Sequence, residues 1–331
     1  MQRANSLSSL LDGVRFLATK LQTVQQDPPL WLYGAYATLV LPIQLALYGC
    51  VRLAAILSNP LTVPAKTRYG FEMLCHLPDA IQTCIFLYGV WEPDISAFIL
   101  SALQQGDTFI DVGAHVGYHA ILASHSVGGA GQVVALEASP GTFRLLEANL
   151  LLNPDCQNVR ALNVAAAEQT GTIPLYLGPE GVEGWSTTVM RKASWKQTTI
   201  AAAPLSSLLA EQELQSVRLI KIDVEGAEAE VIRGLLPVLS LLRSDVELIV
   251  ELTPHLWPAA ERERYPIFEQ VLTPLFDAGF HPYHIQNTYA PWRFLYPERI
   301  TRPQRIREPM QVSPISGQIE VVLSRKDVDR L

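Results

Sequence analysis

Residues 107–126 read DTFIDVGAHVGYHAILASHS. The apolar run around Phe109 and Ile110, with Asp111 close to its end, has the length and composition of a buried strand. Gly113 and Gly117 bracket a turn, and YHAILASHS then opens a helix. The alternation continues downstream. GQVVALEAS (131–139) is a second strand that closes on an acid, Glu137, and PGTFRLLEANLLLN (140–153) is a helix with Pro140 in its first turn. VRALNVA (159–165) is a third strand. Strands alternating with helices imply a parallel sheet covered on both faces, with ligands at the carboxyl ends of the strands.

The glycine turn has the form Asp-x-Gly-x-x-x-Gly. This differs from the Gly-x-Gly-x-x-Gly spacing that brings backbone amides up to a pyrophosphate. An acid at the strand end repels a pyrophosphate and welcomes a cationic amine. Glu137, ending the neighbouring strand, is placed to accept both hydroxyls of a ribose. An amine beside one acid and a ribose beside the other describe S-adenosylmethionine better than NAD, so an NAD-dependent oxidoreductase is disfavoured.

A second constellation lies in LIKIDVEGAEAEVIRGL (219–235). A buried strand delivers Lys221 and Asp223, which period-two alternation places on one face, where they can pair. Glu225, Gly226 and Glu228 occupy the turn into the next helix; stabilisation of a helix N-terminus accounts well for Glu228 and only partly for Glu225. VELIVEL (246–252) adds a fourth strand-end acid, Glu251. Asp111, Glu137, Asp223 and Glu251 therefore mark the rim of a pocket. His115, His119 and His125 lie close in sequence, but a turn followed by a helix scatters their directions. No metal motif accompanies them, so no metal ligands are assigned, and participation of a divalent ion stays open.

The chain has 331 residues, 49% of them hydrophobic, and a formal charge of −7 from 25 basic and 32 acidic side chains. No dense basic run provides a footprint for nucleic acid. Cys50, Cys75, Cys84 and Cys156 show no zinc spacing and read as free thiols in a reducing, cytoplasmic setting. Residues 1–29 carry leucines and valines at helical spacing and form an amphipathic helix without a secretory signature. Residues 28–51 then contain no formal charge, and tyrosines and tryptophan flank the segment as interfacial anchors do. The segment 28–57 is long enough for a bilayer, while Pro42 in its middle favours a bent or hairpin arrangement. Membrane association and a helical cap or dimer interface are both open readings. Residues 68–92 read as two short strands around a Pro78–Asp79 turn. The domain division expected is an N-terminal helical extension, 1–67, and a catalytic domain, 68–331.

Five segments together carry a family resemblance: FIDVGAHVGYHAILA, VVALEASPGTFRLLEANLLLN, LNVAAAEQTGTIPLYL, IKIDVEGAEAEVIRGL and LIVEL. In order and spacing they resemble the FkbM-type S-adenosylmethionine-dependent methyltransferases, over about residues 68–325. The resemblance implies an α/β, Rossmann-like, seven-stranded, mostly parallel sheet with helices on both faces, its last strand antiparallel and supplied by QIEVVLSRK (318–326). It implies cofactor contacts at Asp111, Gly113, His115, Gly117, Tyr118, Glu137, Asn163 and Asp223, with Glu137 on the ribose. It also implies O-methyl transfer to a hydroxyl of a glycan, glycolipid or lipophilic metabolite. Departures from the family pattern are His115 for the usual asparagine, His119 for a tyrosine, and Leu205-Ser206 for the usual Leu-Asp pair. These put the choice of acceptor in doubt.

A sulfonium methyl is already activated, so the protein's task is in-line positioning and, for an alcohol, removal of a proton. Asp223, Glu225 and His119 are the candidate catalytic residues. The non-enzymatic alternative is a cofactor-binding scaffold that tethers partners through its N-terminal helices.

Overall fold

The computed structural model describes residues 11, 13–18, 30–57, 61–77, 79–178, 186–189, 195–287, 294, 302–311 and 317–331. The chain forms two compact units. The first takes the described residues through Ala97 with Asn287 and Phe294, and the second takes the rest. The first unit thus extends past the division expected at 67/68, because the segment beyond 67 pairs with strand Leu61–Lys66.

In the first unit, Leu11 and residues 13–18 are helical; the rest of the amphipathic helix expected over 1–29 lies outside the described residues. Helix α1 (Leu30–Leu57) continues through Pro42 as one helix, which corrects the hairpin arrangement. Pro42 removes one amide from the ladder but its ring is exposed, so no neighbouring element suffers the distortion. The inward stripe is Val40, Gln44 and Val51, and Gln44 Nε2 donates to Ala18 O at 3.1 Å. Leu39, Ile43, Leu53 and Ile56 are exposed on the outer side. Among the described residues no single helix is long and apolar enough to cross a membrane, so the membrane extension read from 28–57 has no support.

Strands β1 (Leu61–Lys66) and β2 (Glu72–Leu77) form an antiparallel hairpin turning at 67–71. The expected turn at Pro78–Asp79 is instead the start of helix α2 (Ala80–Tyr88); Pro78 itself is outside the described residues. Asp79 accepts from Gln82 N at 2.8 Å, an N-cap that diverts an apolar stretch from strand to helix. Helix α3 (Pro93–Ala102) follows. All four cysteines are free thiols.

The second unit is built on an eight-stranded sheet. Its strands are β3 (Thr108–Val112), β4 (Gln132–Leu136), β5 (Val159–Leu162), β9 (Val217–Ile222), β10 (Glu247–Leu252), β11 (His281–His284), β12 (Gln304–Arg305) and β13 (Ile319–Ser324). The order across the sheet is β12-β11-β13-β10-β9-β3-β4-β5. The strand β13 is antiparallel to both neighbours, as the resemblance implies. The eighth strand is a correction to the expected seven, and consists of a two-residue edge addition, β12. Three further strands, β6 (Ala165–Ala166), β7 (Gly171–Leu177) and β8 (Lys196–Ala203), form a small separate sheet.

Period-two alternation divides the large sheet into two faces. Ile110, Val112, Ile220, Ile222, Val250 and Leu252 pack with Val231, Ile232 and Leu235 of helix α6 (Glu228–Leu235) in one buried cluster. Each such side chain contributes about 1.5–3 kcal/mol on burial. Helix α4 (Tyr118–Val127) packs against β3 and β4. Helix α5 (Pro140–Leu152) starts with Pro140 in its first turn and Ser139 Oγ accepting from Thr142 N. Strand order reverses between β3 and β9, since β4 and β5 continue to one side and β10 to the other. A crevice at that reversal is the place where an α/β sheet receives a ligand.

Candidate functional site

The turn after β3 is shaped by its glycines. Gly113 has φ +86° and Gly117 φ +88°, conformations that favour residues without a Cβ. A Cβ on Gly113 would also stand 1.8 Å from the carbonyl oxygen of Asp223, so the turn lies directly against the end of β9. The amides of Gly113 and Ala114 both donate to Leu136 O at 2.9 Å, which ties the turn to the end of β4. His115 follows in the left-handed region at φ +51°.

Glu137 is 8% exposed and accepts from His115 N at 2.9 Å and from Ser139 N at 2.7 Å, one bond to each carboxylate oxygen. Burial pushes its carboxyl up to about 7, against the pull of those two amides. Asn163 Nδ2 donates to the carbonyls of Glu137 and Ala138 at 2.8 and 3.1 Å, bracing the same strand end. Asp111, 1% exposed, sits on β3 in register with Lys221 of β9. Tyr118 and His119 open α4, with their rings in an edge-on contact of 5.2 Å. The donor set suits a ligand with a cationic group and a vicinal diol. Asp111 supplies negative charge, and each Glu137 oxygen has acceptor capacity beyond its single amide bond.

Across the strand reversal stands a wall of acids. Lys221 Nζ donates to Asp223 Oδ2 at 2.6 Å, the pairing that alternation predicts. Burial pushes the Asp223 carboxyl up, but the Lys221 charge and the bonds from Glu251 and Lys221 hold it ionised below the usual range. Glu251 lies opposite Glu320 in the β10–β13 ladder. Burial, then the neighbouring charges of Asp223 and Glu320, drive Glu251 well above the ordinary carboxylate range. Gln318 Nε2 donates to Glu251. Asp223, Glu225 and Glu251 each offer an oxygen within 4.8 Å of the others, a convergence the sequence reading did not foresee. His119 is buried, and that burial, followed by the Lys221 charge, keeps its imidazole neutral.

The structure therefore brings Asp111, Gly113, His115, Gly117, Glu137 and Asn163 together around one strand-end turn. Asp223 and Glu225 join the acid wall beside it. His125 departs from this group, its Nε2 lying 3.8 Å from Cys156 Sγ. Two contributors escaped sequence reasoning. Thr187 Oγ1 donates to Glu225 O at 2.7 Å, and Glu228 accepts from three donors on two loops. Thr187 carries no sequence signal, whereas Glu228 sits in the quoted motif and was ascribed to the helix terminus.

The chain is 27% identical over 225 residues to the methyltransferase sdnD of Sordaria araneosa, covering 59% of this chain and 82% of that one. It is 28% identical over 144 residues to the hexuronic acid methyltransferase AglP of Haloferax volcanii, covering 44% of this chain and 56% of that one. Among solved structures, a SAM-dependent O-methyltransferase from Thermotoga maritima aligns with 14% identity and a TM-score of 0.38, over 82% of this chain and 81% of that one. Residues 111–282, more than half of the chain, match the model of the methyltransferase FkbM domain. This chain belongs to the FkbM methyltransferase family.

Proposed function

We propose that this protein is an S-adenosylmethionine-dependent O-methyltransferase acting on a hydroxyl of a glycan, glycolipid or lipophilic metabolite. S-adenosylmethionine is the cofactor, and when bound it supplies an activated methyl on a sulfonium. The observation that carries the reading is the pair of carboxylates, Asp111 on β3 and Glu137 at the end of the neighbouring β4, beside a glycine turn packed closely against the end of β9. Glu137 accepts from the ribose hydroxyls, and Asp111 stands toward the cationic end. Gly113, His115, Gly117, Tyr118 and Asn163 shape and brace that half of the site.

The acid wall supplies the other half. Asp223 is ionised and His119 uncharged near neutral pH, so both are in the form that takes a proton from an alcohol. Glu225, on the same turn as Asp223, is the third candidate. A wall of this sign favours a hydroxyl over a carboxylate as the incoming nucleophile, since an anion is repelled there. One relative's name, a hexuronic acid methyltransferase, supports a sugar acceptor.

Calorimetry with S-adenosylhomocysteine and NAD tests the cofactor assignment: binding of the first and none of the second is expected. Incubation with a methyl-labelled donor and a panel of neutral glycosides and hexuronic acids tests the acceptor class. Label that resists mild alkali marks an ether, as the hydroxyl reading requires. Label lost as methanol marks an ester and overturns it.

A further inference from the structure

Glu228 is fully buried at the first position of α6, yet it does not serve its own helix as a cap. Its Oε1 accepts from Gly226 N at 2.8 Å and from Thr253 Oγ1 at 2.7 Å; its Oε2 accepts from Trp257 Nε1 at 2.7 Å. Gly226 belongs to the loop that follows β9 and carries Asp223 and Glu225. Thr253 and Trp257 belong to the loop that follows β10 and begins two residues after Glu251. One carboxylate therefore clasps the two loops that frame the acid wall.

Other contacts show how closely these loops are joined. A Cβ on Gly226, whose φ is +107°, would meet Leu256 O at 3.1 Å. Glu225, at φ +53°, is held from another side by Thr187, whose backbone pairs twice with Tyr176. The need for restraint is physical. Acting on Glu251 are Asp223 and Glu225 from the first loop and Glu320 from β13, while Lys221 from β9 and His119 from α4 act on Asp223. Acids outnumber cations in that set, and three carboxyls stay within 4.8 Å of one another only while the backbones that carry them hold that geometry.

We propose that Glu228 is a positioning residue, which holds the loop bearing Asp223 and Glu225 at its working distance from Glu251 by accepting from Gly226, Thr253 and Trp257 together. Its bearing on proton removal from an acceptor rests on the methyltransferase reading above; the geometric tie stands without it.

The test is a pH titration of the full-length protein labelled with ¹³C at Asp and Glu carboxyls, followed by NMR. Glu228→Gln places an amide donor against donors, and Thr253→Val removes one of the three bonds. Both should let water reach the wall and lower the Glu251 titration by about one pH unit or more, the scale on which coupled carboxyls interact. Thr253→Ser keeps the hydroxyl and should titrate as the parent does. An unmoved Glu251 titration in both variants, with only a lower unfolding temperature, makes Glu228 an ordinary structural carboxylate and overturns the proposal. Should Glu228→Gln fail to fold, the Thr253 pair decides alone. A parent protein that does not bind S-adenosylhomocysteine defeats the functional reading, while the titration still settles the tie.

Discussion

A Cβ on Gly113 would sit 1.8 Å from the carbonyl oxygen of Asp223. The glycine turn and the acid wall are thus two sides of one contact. Gly113→Ala combines this overlap with a φ of +86°, so the turn, the end of β9, or both must shift. The strain alone should cost about 1–3 kcal/mol in unfolding free energy. Chemical denaturation measures that cost, and calorimetry should show S-adenosylhomocysteine affinity lost with it. A variant as stable and as tight-binding as the parent means the two segments are not in contact.

Glu137→Ala should weaken S-adenosylhomocysteine binding by about 1.5–3 kcal/mol, the worth of hydrogen bonds to a charged group. It should also destabilise the unliganded protein, because the amides of His115 and Ser139 lose their acceptor. Unchanged calorimetric affinity would remove Glu137 from the cofactor site.

The same carboxyl gives a pH signature. Its folded value of about 7 lies above its ordinary 4.5, so in this window the folded state holds the proton more tightly than the unfolded chain. The associated stability is present below 4.5 and is lost as pH rises through about 7. Ribose hydroxyls donate to the ionised form, so cofactor binding should release a proton near pH 6.5 and tighten as pH rises toward 8. Calorimetry in buffers of different ionisation enthalpy reads the proton directly, and Glu137→Gln should abolish its release. Equal proton release in that variant assigns the effect to another group.

Asp223→Asn should lower turnover by about 10²–10⁴, the usual consequence of removing a general base, with a smaller effect on cofactor affinity. It also leaves Lys221, 4% exposed, without its anionic partner at 2.6 Å. Lys221→Met in the same chain should restore part of the lost stability, because it removes the buried cation that has lost its bond to the Asp223 carboxylate. If the double variant melts below both single variants, the ion pair is not the source of the loss.

The orientation of α1 can be checked through stability. Leu39 and Leu53 are 70% and 57% exposed, so changing either to Gln should shift unfolding by no more than about 0.5 kcal/mol. Gln44→Leu removes the buried bond to Ala18 O and should cost about 1 kcal/mol. A reversed ranking in thermal melts would mean that the helix presents its other side.

What the sequence made legible followed from period and punctuation. The run from Thr108 to Leu152 reads correctly because buried strands, a glycine turn and Ser139 before Pro140 all agree at short range. Lys221 and Asp223 pair because alternation is a local rule. The helix at Ala80 was missed since its apolar run fits either period, and the deciding bond is one cap from Asp79. The continuous course of α1 through Pro42 depends on where the proline ring faces, which only packing determines. Glu228 looked like a helix-terminus acid because its partners Thr253 and Trp257 lie far along the chain. The strand-end acids are legible as a pocket rim; the convergence of Asp223, Glu225 and Glu251 is not, because it depends on the order of β9, β10 and β13.

Thr187 reaches Glu225 from the excursion between β7 and β8, whereas the turn around Gly113 and Glu137 takes its hydrogen bonds from His115, Ser139, Leu136 and Asn163. Glu225 thus has a support of its own, apart from the Asp223 contact that joins the acid side to the glycine turn. An insertion, deletion or transplanted loop in the β7–β8 excursion can re-aim Glu225 while the hydrogen bonds of the glycine turn stay in place. That modularity offers a route to diversification and to engineering: new acceptor preferences can be grafted at one hairpin without rebuilding the cofactor cradle.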